Sequence, residues 1–179
     1  VKTVAVFGSA LPSPENPVYE ASREIGRLLG QAGYAVMTGG YNGVMAAASQ
    51  GAHEVGARVI GATCLTLERQ RGTRPNQWVT EVVERESLRD RLIALVDMPD
   101  AYVVMPGGLG TLTELVFASE SMRSGDISCR PIVCYGEFWR PLVQITAESG
   151  YMHHNAWGPL HFGDTPEQVL ELITTHAPL

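Results

Sequence analysis

Val4-Ala5-Val6-Phe7-Gly8-Ser9 is a short apolar run stopped by two small residues, the pattern of a strand buried on both faces of a parallel sheet. A loop rich in Pro and Asn follows. Asn16-Pro17 then reads as an N-cap with proline at the first helical position. Ala21, Ile25, Leu28, Leu29 and Ala32 mark one helical face, and Gly33 is a natural stop. Tyr34 to Met37 is a second apolar run, ending at Thr38-Gly39-Gly40. A small-residue helix runs on through Met45 and Ala48 to about Val55, and Arg58 to Ala62 is a third strand. This β-α-β-α-β order with short connections requires a parallel sheet flanked by helices.

Outward from that core the pattern repeats. Residues 65 to 78, with Arg69, Arg71, Arg74, Pro75 and Asn76, are the least regular stretch and read as a surface loop. An extended piece near 79 to 84 precedes a helix from about Ser87 to Val96. Ala101 to Met105 is another buried strand, followed by Pro106-Gly107-Gly108-Leu109-Gly110-Thr111 and a helix to about Met122. Pro131 to Tyr135 is a further strand, with helices near 138 to 149 and 166 to 175. There is no linker, repeat or low-complexity segment. The expectation is one Rossmann-like, doubly wound α/β domain over residues 1–179, its sheet mostly parallel with helices on both faces.

The chain has 179 residues, 45% of them hydrophobic and 18% charged, enough for one full core. Its net charge of −6, without a basic cluster, speaks against nucleic-acid binding. Lys2 is its only lysine. A pyridoxal phosphate enzyme needs a buried lysine for its Schiff base, and a Walker-type loop needs one on its phosphates. Lys2 opens the first strand, a poor place for either. Cys64, Cys129 and Cys134 lack metal spacing and read as reduced thiols of a cytoplasmic protein. No apolar run approaches a bilayer span, so no membrane role is expected. His53, His153, His154, His161 and His176 offer no ligand spacing, so no metal is assigned.

Ligands of open parallel sheets bind beyond the carboxyl ends of the strands. Three such ends carry small-residue turns: Gly8-Ser9, Thr38-Gly39-Gly40-Tyr41-Asn42-Gly43, and Pro106 to Thr111. Two lead into helices, whose free N–H groups favour phosphate. Each turn alone is equally explained by tight packing; three on one edge point to a ligand. The dinucleotide fingerprint G-x-G-x-x-G is absent after the first strand. Glu114 has two readings. Thr111-Leu112-Thr113-Glu114 fits a capping box, with Glu114 in the first helical turn bonding back to the cap. It also stands where a phosphate would dock. Arg91 borders an apolar face of Leu88, Leu92, Leu95 and Val96, from which it reaches either inward or into solvent. Met45, near the start of its helix, is either core or pocket lining.

The run Pro106 to Glu114 resembles the PGGxGTxxE motif of the Lonely Guy (LOG) family, once mislabelled as lysine decarboxylases. The Gly8-Ser9 turn, the Gly39-Gly40-Tyr41-Asn42-Gly43-Val44-Met45 turn and Arg91 also match it in order, over roughly residues 3 to 150. The resemblance implies a nucleoside 5′-monophosphate phosphoribohydrolase without a cofactor, cleaving a purine or cytokinin-type nucleotide to free base and ribose 5-phosphate. It implies Glu114 and Arg91 as the catalytic pair and an AMP-like ligand held by Gly107, Gly108, Leu109, Gly110 and Thr111. Gly8, Ser9, Gly39, Gly40, Asn42, Gly43 and Met45 would complete the nucleotide site of a homodimer or larger homo-oligomer. Three positions depart from the family pattern: Leu92 stands where a lysine follows the arginine, Thr113 where a first glutamate precedes the second, and Tyr41-Asn42 interrupts the glycine run. The alternative is a non-catalytic binder of a phosphate-bearing ligand, resembling the molybdenum cofactor carrier proteins.

Overall fold

The computed structural model describes residues 1–153 and 155–177; His154 of the histidine series lies outside them. Among the described residues there are seven strands and seven helices in strict alternation. They are β1 (Thr3–Phe7), α1 (Pro17–Gln31), β2 (Ala35–Thr38), α2 (Val44–Glu54), β3 (Val59–Cys64), α3 (Leu65–Arg71), β4 (Glu81–Arg85), α4 (Leu88–Asp97), β5 (Ala101–Val104), α5 (Leu109–Ser124), β6 (Ile132–Tyr135), α6 (Arg140–Ala147), β7 (Leu160–Gly163) and α7 (Pro166–His176). The strands form one sheet in the order β4-β3-β2-β1-β5-β6-β7. Every pairing in it is parallel. The sheet is thus wholly, not mostly, parallel.

The chain winds outward from β1 to β4, then returns to lay β5 against the other side of β1. The crevice beyond the carboxyl ends of β1 and β5 is therefore the topological switch point, where doubly wound sheets hold ligands. Each face buries its own apolar cluster. Ile25 and Leu29 of α1, Ala48 and Ala52 of α2 and Ile173 of α7 pack on one face with Val4, Val6 and Val36. Leu95 and Val96 of α4 and Leu115 and Ala118 of α5 pack on the other with Ala5, Phe7 and Met37. Alternate residues of β1 feed the two clusters, which is why Val4 to Phe7 are all apolar.

Local signals held where side-chain chemistry carried them. Asn16 accepts from the Val18 N–H at 2.9 Å with Pro17 behind it, and Ser87 accepts from the Asp90 N–H at 3.1 Å. Two elements differ from the sequence reading. The stretch 65 to 78 is not all loop: Leu65–Arg71 is helical and stops at Gly72, which is left-handed at φ 62°. None of its residues is buried, so it carries no apolar stripe to announce it. The seventh strand, β7, is an edge strand only partly covered, too short to show alternation after Trp157-Gly158-Pro159.

Candidate functional site

Three strand ends converge at the switch point through backbone hydrogen bonds. The Ser9 N–H donates to the Pro106 carbonyl at 3.1 Å, tying the turn after β1 to the turn after β5. The Val44 N–H donates to the Ser9 carbonyl at 2.9 Å, tying both to the turn after β2. Gly43 takes φ 63°, and a Cβ there would lie 2.3 Å from the Ser9 oxygen. Only glycine lets the second turn close onto the first. The Asn76 side chain donates to the Gly40 and Tyr41 carbonyls at 3.1 and 2.9 Å, pinning that turn from above.

Arg91 points inward and is 8% exposed. Its Nε donates to the Ala62 carbonyl at 2.7 Å and its Nη2 to the Gly39 carbonyl at 3.0 Å, so the guanidinium is fixed beneath the ends of β2 and β3. A Cβ on Gly39 would sit 1.9 Å from Nη2, so any side chain there would displace the guanidinium. The Met45 sulfur lies 3.9 Å from Nη2, and the Tyr41 ring lies 5.5 Å from the guanidinium carbon. The buried face of α4 centres on Arg91, Ala94, Leu95 and Val96. Leu88, expected on that face, is 56% exposed instead. No carboxylate pairs with Arg91 among the described residues. A buried, unpaired cation of this kind is costly unless something anionic completes it.

Glu114 supplies the opposing acid. Helix α5 begins three residues earlier than the capping-box spacing predicts, with Gly108 at its cap and Thr111 at the third helical position. Glu114 therefore stands in the second turn, and its carboxyl makes no bond back to a cap. That overturns the capping reading: the true cap has no side chain and so leaves no signature. Among the described residues Glu114 has no hydrogen-bond or ion-pair partner. Burial raises its carboxyl pKa to about 7, against the pull of the nearby Arg91 charge. An acid held near neutrality beside a fixed cation is suited to proton transfer and to stabilising positive charge.

The turn beside it is open above two of its glycines. A Cβ on Gly107 would strike the Thr111 hydroxyl at 2.2 Å, but one on Gly108 or Gly110 would meet nothing within 4 Å. Neither Gly108 nor Gly110 has a positive φ. The fold does not need glycine there, so the empty space above the α5 amides is free for an approaching anion. Thr111 is buried, its hydroxyl unbonded among the described residues. Leu109 points away and is 83% exposed.

The structure thus gathers Gly8, Ser9, Gly39, Gly40, Met45, Arg91, Glu114 and residues 107 to 111 at one edge. Asn42 turns aside, lining a separate cleft with Tyr19 and Trp78. Sequence reasoning missed the support given by Tyr41 and Asn76. Tyr41 is the visible signal, an aromatic ring inside a glycine turn. Cys134, buried against β5, has its thiol pushed up to about 12 by burial and is no nucleophile. His161 and His176 stack at 4.2 Å between centroids. No group of three or more His, Cys, Asp or Glu converges among the described residues. No helix of the described chain is long and apolar enough to cross a membrane.

Such a site at the switch point of a doubly wound sheet defines a Rossmann-like α/β protein as a class. The sequence pattern of the family described as "Possible lysine decarboxylase" matches residues 45–173, and the chain belongs to that family, the LOG family. Among its relatives, the cytokinin riboside 5′-monophosphate phosphoribohydrolase of Mycobacterium marinum is 27% identical over 94% of this chain and 91% of its own. A probable enzyme of the same name from Oryza sativa subsp. japonica is 26% identical, over 99% of this chain and 74% of its own. The molybdenum cofactor binding protein of Rippkaea orientalis has the same fold: TM-score 0.76, 22% identity, covering 97% of this chain and 96% of that one.

Proposed function

We propose that the protein hydrolyses the N-glycosidic bond of a nucleoside 5′-monophosphate, releasing free base and ribose 5-phosphate. The observation that carries this reading is the carboxyl of Glu114, unpartnered and held near neutrality, facing the fixed Arg91 beside an open phosphate turn. The names of the relatives support the same reaction class. In this reading the amides of Gly107 to Thr111 and the Thr111 hydroxyl hold the 5′-phosphate, Gly8 and Ser9 wall it, and Met45 lines the sugar and base.

The bond pair of the C1′–N bond leaves with the base nitrogen, and positive charge develops on the ribosyl ring. The Glu114 carboxylate stabilises that charge and takes a proton from the attacking water, whose oxygen bonds to C1′. The proton passes on to the departing base. Arg91, whose free Nη1 is the one guanidinium nitrogen without a protein acceptor among the described residues, orients the substrate. A decarboxylase using pyridoxal phosphate is not supported: Lys2 precedes β1, at the amino edge of a wholly parallel sheet and opposite to the site.

Incubation with a panel of nucleoside monophosphates, followed by chromatography, tests the reading. Release of base and ribose 5-phosphate in equal amounts from at least one nucleotide is expected. Arg91→Ala lowers the rate by about 100-fold or more. Saturable nucleotide binding with no base released from any member would instead identify a carrier.

A further inference from the structure

On the α1/α2 side of the second glycine turn lies a cleft of about 380 Å3. That is within the span of small-molecule sites, roughly 300–1,000 Å3. Pro12, Pro14, Tyr19 and Trp78 line it together with Gly43 and the exposed Asn42 and Gln77. No charged side chain lines it, although the chain as a whole carries a net charge of −6.

Tyr19 is anchored through its hydroxyl and Trp78 through its backbone, and the polar edge of Trp78 is unspent. Asn76 bonds to Gly40 and Tyr41 and also accepts the Trp78 backbone N–H at 3.2 Å, so Trp78 is tied to the turn. The Tyr19 hydroxyl donates to Gln50 at 3.1 Å, which sets the ring's orientation. The indole N–H groups of Trp139 and Trp157 donate to the Met105 carbonyl and the Thr146 hydroxyl. That of Trp78 has no acceptor among the described residues, and neither the Asn42 nor the Gln77 amide has a partner there. An ion would find no countercharge in this cleft. A purely aliphatic group would leave the amides unpaired. A flat ring bearing both donors and acceptors satisfies every wall, stacking on the indole and presenting its edge to the amides.

We propose that this cleft is a second subsite, binding an uncharged nitrogen heterocycle of purine size by stacking on Trp78, with its edge read by Asn42 and Gln77. It is distinct from the Glu114–Arg91 site: neither residue lines it, and the 39–43 turn stands between them, Gly39 against Arg91 and Asn42 against the cleft. The proposal does not depend on hydrolysis.

Calorimetric titration with adenine tests it. Saturable binding is expected in the wild type, weakened about ten-fold or more in Trp78→Ala, by less in Trp78→Phe, and unchanged in Glu114→Gln. Gln77→Ala, at an exposed rim position, keeps the test decisive if Trp78→Ala fails to fold, and is expected to weaken binding. Absence of saturable binding would overturn the proposal, as would wild-type affinity in Trp78→Phe and Gln77→Ala together. So would loss of binding in Glu114→Gln alone, which would put the ring at the acid instead, or displacement of adenine by a proline-rich peptide. Adenine binding without release of base from any nucleotide would leave this subsite standing while removing the hydrolase reading.

Discussion

Arg91 and Glu114 differ in how much of their surroundings the protein itself satisfies. Two backbone carbonyls and an aromatic ring hold the guanidinium, while the carboxyl is held by nothing but its burial. A carboxyl raised to about 7 in the folded state from about 4.5 when unfolded binds more protons folded than unfolded between those values. Its contribution to stability is therefore present below pH 4.5 and lost as pH rises through 7. Glu114→Gln should be more stable than wild type by about 1–3 kcal/mol at pH 8, with the gap closing toward pH 4.5, as chemical denaturation at both pH values would show. The same group predicts an acidic limb near pH 7 in kcat/KM for the proposed hydrolysis, activity rising with pH as the carboxylate forms. Tyr41 carries a different load. Its hydroxyl oxygen accepts the Cys64 N–H at 2.8 Å and donates to Glu68 at 3.2 Å, while its ring faces Arg91. Tyr41→Phe should cost about 1–3 kcal/mol of stability and little turnover, whereas Tyr41→Leu, which removes the ring, should lower kcat/KM about ten-fold. Steady-state kinetics and denaturation on the same samples separate the two.

Legibility varied from element to element for physical reasons. Helices α1 and α4 could be located from sequence because Asn16 and Ser87 cap them with side chains. Helix α5 could not be placed to the residue, because Gly108 caps it with backbone alone and a false T-x-x-E signature follows. That small error decided the meaning of Glu114, moving it from a first-turn cap partner to an unpaired second-turn acid. Helix α3 buries nothing, so no periodicity revealed it. The loop after it turned out to matter through one residue. Asn76 secures Gly40, Tyr41 and Trp78 at once. Asn76→Ala should lose about 1–3 kcal/mol in denaturant unfolding, since the Tyr41 carbonyl loses its donor while the Gly40 carbonyl keeps only the residue-76 backbone N–H at 2.8 Å. A loss below 0.5 kcal/mol would mean that water replaces the side chain at about no cost.

For the molecule as a whole, the alternation of strands and helices was plain in the sequence, and the strand order adds the β1–β5 switch point. What was not plain is how widely the ligand-facing edge is divided. One side of the 38–43 turn holds the acid and cation, and the other holds the aromatic cleft. Ile93 of α4 and Met98 just beyond it leave an exposed apolar patch on the helix that carries Arg91. Self-association through this patch is the expected state. Sedimentation equilibrium should give twice the 19.4 kDa chain mass or a higher multiple, and Ile93→Arg should reduce it to one chain. A wild-type mass of one chain would contradict that expectation.

The central claim is that Glu114 does chemistry on a nucleotide rather than merely standing beside one. It is tested most directly by AMP turnover in the wild type and Glu114→Gln under identical conditions, read as adenine and ribose 5-phosphate formed. Equal amounts of both products are expected from the wild type, with a loss of about 100-fold or more in the variant, which still folds and still binds AMP. Equal rates in the two proteins, or AMP bound by both with no adenine released by either, would contradict it.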